Sequence, residues 1–195
     1  MIRTIFEIIR SKYRSFRYGI RENQLELTLN QKNQKKKDIH LPEGFYLRTF
    51  KKQDKKGLIE IFRLSGLAEW SDIEFEVVKS SFLPNGFFVV VENDTEKIVA
   101  TMGARHTPNK FNPNAGDIGW LCSHPEFLGK RLGYAAAAAA TNRLLEIGYT
   151  NIYVNTDDYR LPAIKIFLRL GFEPLMYNNG IEKRWNIIFN KLKKN

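Results

Sequence analysis

Cysteine is nearly missing from this chain: Cys122 is the one such residue in 195. That excludes an internal disulfide framework and a four-cysteine zinc site. Histidine is scarce as well, at positions 40, 106 and 124, with no helical or finger spacing, so no metal is expected. No uninterrupted apolar run approaches the ~20 residues of a membrane span. The opening stretch MIRTIFEIIRSKYR carries charge inside its apolar run and does not read as a signal peptide. A reducing, cytoplasmic setting is therefore expected. The sequence also lacks a G-x-G-x-x-G fingerprint and the Lys-Ser/Thr ending of a P-loop. Its aromatics form no stacking platform beside the basic residues, which argues against sequence-specific nucleic-acid reading.

What is present suffices for a core without cross-links: 43% of residues are hydrophobic and 27% charged. The net charge of +10 is unevenly spread. Residues 1–56 carry 15 Lys/Arg against 6 Asp/Glu, whereas residues 57–195 carry 16 against 15. The first segment therefore reads as a basic extension able to attract an acidic partner. Ile2, Ile5, Phe6, Ile9, Tyr13 and Phe16 recur at spacings of three and four, which predicts an amphipathic helix. A basic helix of this kind can contact a membrane surface through residues 1–20, but docking on its own domain is the preferred reading. Leu25, Leu27 and Leu29 alternate as in a strand, and NQKNQKKKD (30–38) reads as a linker. The expected division is an extension over 1–40 and a domain over 41–195.

Along the body, GFYLRTF (44–50) reads as a strand and Asp54 as the cap of a helix to about Ser65. Ser71 and Glu74 form a capping box for a helix through about Phe82. Strands at 86–92 and 97–106 flank the turn NDTE. A Pro/Asn-rich loop (107–116) leads to a strand at 117–123 and a helix from Leu132 to Ile147, stopped by Gly148. A strand at 151–156, a helix opened by Pro162, a strand at 172–177 and a helical tail around Trp185, Ile188, Phe189 and Leu192 complete the order. This mixture predicts an α+β fold, with helices on a mixed, mostly antiparallel sheet.

The chemistry concentrates in DIGWLCSHPEFLGKRLGY (117–134). A strand ends at Ser123, and the basic loop Leu128-Gly129-Lys130-Arg131-Leu132-Gly133 opens into a helix. The first amides of a helix point outward without internal partners, and with the helix dipole they attract an anion such as a pyrophosphate. Glycines let the backbone approach closely. The following helix holds six alanines, Ala135–Ala140, which favour helix and tight packing.

Residues 117–172 resemble the core of the GNAT superfamily of N-acetyltransferases. The superfamily's phosphate loop, Q/R-x-x-G-x-G/A, falls on Leu128–Gly133, and its A-x-x-x-Y-x-x-x-G-F ending falls on Ala163–Phe172. The resemblance implies a GNAT-like sheet flanked by helices. It implies acetyl-CoA as co-substrate, with the pyrophosphate at 128–133 and the helix start at Gly133-Tyr134. It implies pantetheine along the backbone of Leu121, Cys122 and Ser123, with Asn155, Arg160 and Phe167 beside it. An amine would attack the thioester directly. The implied reaction is N-acetyl transfer to a primary amine of a small molecule or peptide. The alternative is a non-catalytic CoA-binding module.

The chain departs from the pattern at Leu128 (not Gln or Arg), Arg131 (not Gly) and Phe167, which stands where the superfamily often has a tyrosine acting as general acid. Tyr134, Tyr153 and Tyr159 are candidate replacements. Asp117 is the first candidate base and His106 the second. His124, Asp157 and Asp158 read as structural, the two aspartates as caps. Cys122 reads as a small core residue. Apolar stripes at both termini are compatible with a homodimer.

Overall fold

The computed structural model describes residues 24–67, 71–108 and 115–194. The helix expected over 2–17 lies outside these residues. Within the described residues seven strands form one sheet: β1 (Leu25–Leu29), β2 (Phe45–Thr49), β3 (Phe82–Glu92), β4 (Ile98–His106), β5 (Gly116–Ser123), β6 (Ile152–Thr156) and β7 (Phe172–Pro174). Among the described residues five helices accompany it: α1 (Lys55–Leu64), α2 (Asp72–Lys79), α3 (Leu132–Ile147), α4 (Leu161–Arg169) and α5 (Asn179–Lys194). The strand order is β2-β3-β4-β5-β6-β1-β7. Every pairing is antiparallel except β5 with β6.

Two apolar layers cover the sheet. On one face, Leu25, Leu27, Val90, Met102, Ile118 and Val154 meet α3, α4 and α5 through Ala136, Ala140, Leu144, Ile164, Phe167, Trp185 and Ile188. On the other face, Val89, Val91 and Cys122 meet Leu58, Ile61, Phe62 and Phe75 of α1 and α2. Ala135–Ala140 are all buried, so the small side chains of α3 bring its backbone close to the sheet. Each deleted methyl in such a packed core costs about 1 kcal/mol.

The structure corrects four expectations. The boundary near residue 40 does not separate two folding units. Strand β1 lies inside the sheet, paired with β6 on one side and β7 on the other, with Leu25 and Leu27 fully buried. Asp54 stands at the N-terminus of α1, but its side chain makes no cap bond. Its carboxylate instead binds Arg48 at 2.5 and 2.9 Å and the Lys51 amide at 2.6 Å. Strand β3 starts at Phe82, where the helix was expected to end, because Pro84 and Asn85 (φ 54°) form an irregular entry before regular pairing resumes at Phe87. Strand β7 stops at Pro174. The Ser71–Glu74 capping box forms as the sequence predicts, and Gly148 ends α3 at φ 95°.

Candidate active site

The site grows from a divergence between two strands. Strands β5 and β6 pair only at Gly116–Ile152 and Asp117–Tyr153. Beyond Asp117 the two strands share no further pair, so the backbone of β5 from Ile118 to Ser123 faces a gap on that side. Four residues at ~3.3 Å each put Leu121 roughly 13 Å along the strand from the last pair.

A bulge sits in this open stretch. Thr101 faces Cys122 while Gly103 faces Gly119, so β5 carries one more residue than β4 between those pairs. Trp120 adopts φ 68° there, a left-handed conformation rare for a bulky residue. Thr101 Oγ1 donates to its carbonyl at 2.9 Å. The extra residue shifts the side-chain alternation. Ile118 and Leu121 both enter the α3–α5 layer, and Cys122 turns to the α1–α2 layer. No glycine or proline at position 120 marks this bulge in the sequence. Strain of this kind costs about 1–3 kcal/mol and gathers at functional sites.

The loop after β5 meets the gap at its mouth. Pro125–Phe127 form one short turn, with His124 Nδ1 accepting from the Glu126 amide at 3.3 Å. Gly129 (φ 82°) and Arg131 (φ 60°) then take left-handed backbone, and Arg131 is the N-terminal cap of α3. Thus the fourth loop position has the conformation that glycine adopts most easily, held by an arginine. From Gly129 to Tyr134 no amide finds a backbone acceptor among the described residues, and the first intrahelical bond is Ala135 to Arg131 at 3.2 Å. Gly133 allows the helix to sit directly on β5: a Cβ there would lie 2.8 Å from Ser123 Oγ and 3.5 Å from Leu121 Cδ1. Leu132 is buried, Tyr134 half-buried, and Leu128 is 65% exposed.

The loop cations differ. Lys130 Nζ lies over the rings of Phe45 (5.1 Å) and Phe127 (5.5 Å), so its ammonium is held by aromatics. Arg131 is exposed and makes no ion pair among the described residues. From the far side of the gap, Arg160 Nη2 donates to the Leu121 carbonyl at 3.4 Å. Asn155 is half-buried on β6, opposite Glu26 of β1.

Other nominated residues lie elsewhere. Asp117 is 1% exposed, and Arg105 engages both its carboxylate oxygens, Nε at 3.2 Å and Nη2 closer still. It is the anchor of a cross-strand ion pair, not a free carboxylate. His106 ends β4 opposite Gly116, at the closed end of the β5–β6 pair, with Nδ1 3.0 Å from the Tyr149 hydroxyl. The geometry does not bring either candidate base beside the loop. Phe167 is 2% exposed and edge-on to Phe172 at 6.2 Å, so it belongs to the core and not to the gap's wall. Asp157 and Asp158 do not cap α4: Asp157 accepts from Gln24, and Asp158 pairs with Arg184 of α5. Burial pushes the Cys122 thiol up to about 11, against the opposing effects of a bond to Ser65 and the charge of Arg160. Such a thiol is inert as a nucleophile.

Comparison with known proteins agrees with this architecture. A mycothiol acetyltransferase of Kocuria rhizophila is 25% identical over 146 residues, covering 70% of this chain and 48% of the relative. The chain thus spans about half the length of the curated relatives it matches. Among solved structures, a GCN5-related N-acetyltransferase from Sphaerobacter thermophilus superposes with a TM-score of 0.64 at 17% identity, over 83% of this chain and 53% of that one. A tandem GNAT protein from the clavulanic acid biosynthesis pathway gives 0.58 at 17% identity, over 77% and 50%. These likenesses concern the fold. Residues 55–172, more than half of the chain, match the profile of the Acetyltransferase (GNAT) family. By that match the chain belongs to the Acetyltransferase (GNAT) family.

Proposed function

We propose that this chain transfers an acetyl group from acetyl-CoA to a primary amine by direct attack on the thioester. The observation that carries the reading is the β5–β6 divergence, with unpartnered amides at the start of α3 closing its mouth. The amides of Gly129–Tyr134 would hold the pyrophosphate, helped by the α3 dipole and by the exposed Arg131. The free edge of β5 at Leu121–Ser123 would pair with the pantetheine amides as a strand would. Acetyl-CoA supplies an activated acyl thioester. The chain would supply orientation and the backbone of β5 around the Trp120 bulge. The Arg105–Asp117 pair fixes the β4–β5 hairpin beside Gly119, where the Arg105 guanidinium lies 2.9 Å from the position of a Cβ. The name of the curated relatives, mycothiol acetyltransferase, supports acetyl transfer. A non-catalytic CoA-binding module is the second reading, favoured by one feature: Phe167 offers no hydroxyl and lies in the core.

The test is CoA release from acetyl-CoA with a panel of amines, peptides and polyamines. Amine-dependent release supports the transferase. Tight CoA binding without release on any acceptor supports the binding module.

A further inference from the structure

Arg160 holds an unusual place among the cations of this molecule. Arg48 is paired with Asp54, Arg105 with Asp117 and Arg184 with Asp158, while Lys130 rests on two phenyl rings. The guanidinium of Arg160 reaches instead across the gap to a neutral acceptor, the Leu121 carbonyl, and no carboxylate pairs with it among the described residues. Its backbone is fixed: its amide donates to the Asp157 carbonyl at 3.0 Å, and its carbonyl accepts from Ile164 at 3.1 Å in the first turn of α4. The positive end of that helix therefore adds to the same location. A full positive charge is thus held, unneutralised and half-buried, at the open edge of β5.

Resting on the acetyl-transfer reading above, we infer that Arg160 is a catalytic residue that stabilises the departing CoA thiolate. In that step the acceptor nitrogen forms a bond to the acetyl carbon and the carbon–sulfur bond breaks. The sulfur leaves with the electron pair as a thiolate, and the ammonium proton of the new amide nitrogen passes to water. A guanidinium keeps its proton at any working pH, so Arg160 acts by charge and by N–H donation, and solvent later protonates the thiolate. This removes the need for a hydroxyl at position 167.

The experiment compares wild type, Arg160→Lys and Arg160→Met, each checked by circular dichroism and thermal melting. Two probes are used, CoA and desulfo-CoA, which lacks the thiol. The ultraviolet absorbance of the thiolate is followed against pH in the CoA complexes, and both probes are titrated calorimetrically. In wild type the bound thiol should ionise about one pH unit below free CoA, a tenfold preference for thiolate. Arg160→Lys should keep part of that shift, and Arg160→Met should lose it while binding desulfo-CoA as tightly as wild type. Identical thiol titration in wild type and Arg160→Met overturns the inference and leaves the transferase reading intact. Equal weakening of CoA and desulfo-CoA by Arg160→Met also overturns it, assigning Arg160 to general cofactor binding. Failure of wild type to bind either probe removes the transferase reading and this inference together.

Discussion

Arg131 and Gly133 carry opposite constraints within one loop. Arg131 occupies left-handed backbone that costs a non-glycine residue about 1–2 kcal/mol. Its charge at the first turn of α3 offsets that cost when an anion is bound. Arg131→Gly should therefore raise the melting temperature while weakening acetyl-CoA binding, which thermal melts and calorimetry on one sample would check. Gly133 has no room for a side chain between Ser123, Leu121 and Ile166. Gly133→Leu should lose acetyl-CoA binding and cost about 1–3 kcal/mol through overpacking. Asp117→Ala should cost about 3–5 kcal/mol, because it leaves the Arg105 guanidinium without its buried partner. Urea unfolding would measure both losses, and an Asp117→Ala variant as stable as wild type would contradict the pairing. The sequence made Asp117 visible as a carboxylate on a strand beside the loop. Its partner was hidden, because Arg105 comes twelve residues earlier and meets it only through the β4–β5 register.

At the scale of elements, strong local signals were legible and tertiary placement was not. The alanine-rich α3, its terminal Gly148 and the Ser71–Glu74 box of α2 are all local, since each is made within a few residues. Strand β1 was legible as a strand from Leu25, Leu27 and Leu29, yet its place between β6 and β7 depends on residues more than 120 positions away. Pairing of that range leaves no trace in a single sequence. Removing residues 1–30 should therefore prevent folding, since it strips an internal strand, exposes the edge of β6 and leaves β7 without its partner. Soluble, protease-resistant protein from that truncation would contradict the assignment of β1. The Asp54–Arg48 pair gives an acid signature. Burial opposes ionisation of Asp54, but Arg48 and the Lys51 amide outweigh it and hold the carboxyl below its ordinary range. A carboxyl depressed in the folded state stabilises the fold above its unfolded value, and that contribution fades as pH falls through the folded one. Asp54→Asn should thus lower stability at pH 7 and flatten the loss of stability below about pH 3.8, as seen in acid-limb denaturation curves.

For the whole molecule, the two faces of the sheet divide the work. The α3–α5 face holds the main core and presents the loop that suits a phosphate. The α1–α2 face carries Cys122, Trp120 and the Arg105–Asp117 pair beside the same open stretch of β5. The loop at 128–133 was legible as a strand-to-helix connection because its glycines and its helix are contiguous. The gap itself was not, since it arises from where β5 and β6 stop pairing and from a bulge at Trp120. By the reading proposed above, this gap and loop form an acetyl-CoA site. The most direct measurement is calorimetric titration of the full chain with acetyl-CoA, CoA and ATP in parallel, repeated on Gly133→Leu. Micromolar binding of acetyl-CoA and CoA, much weaker binding of ATP, and loss of all of it in the variant are expected. No binding by wild type, or equal binding of ATP, would contradict it.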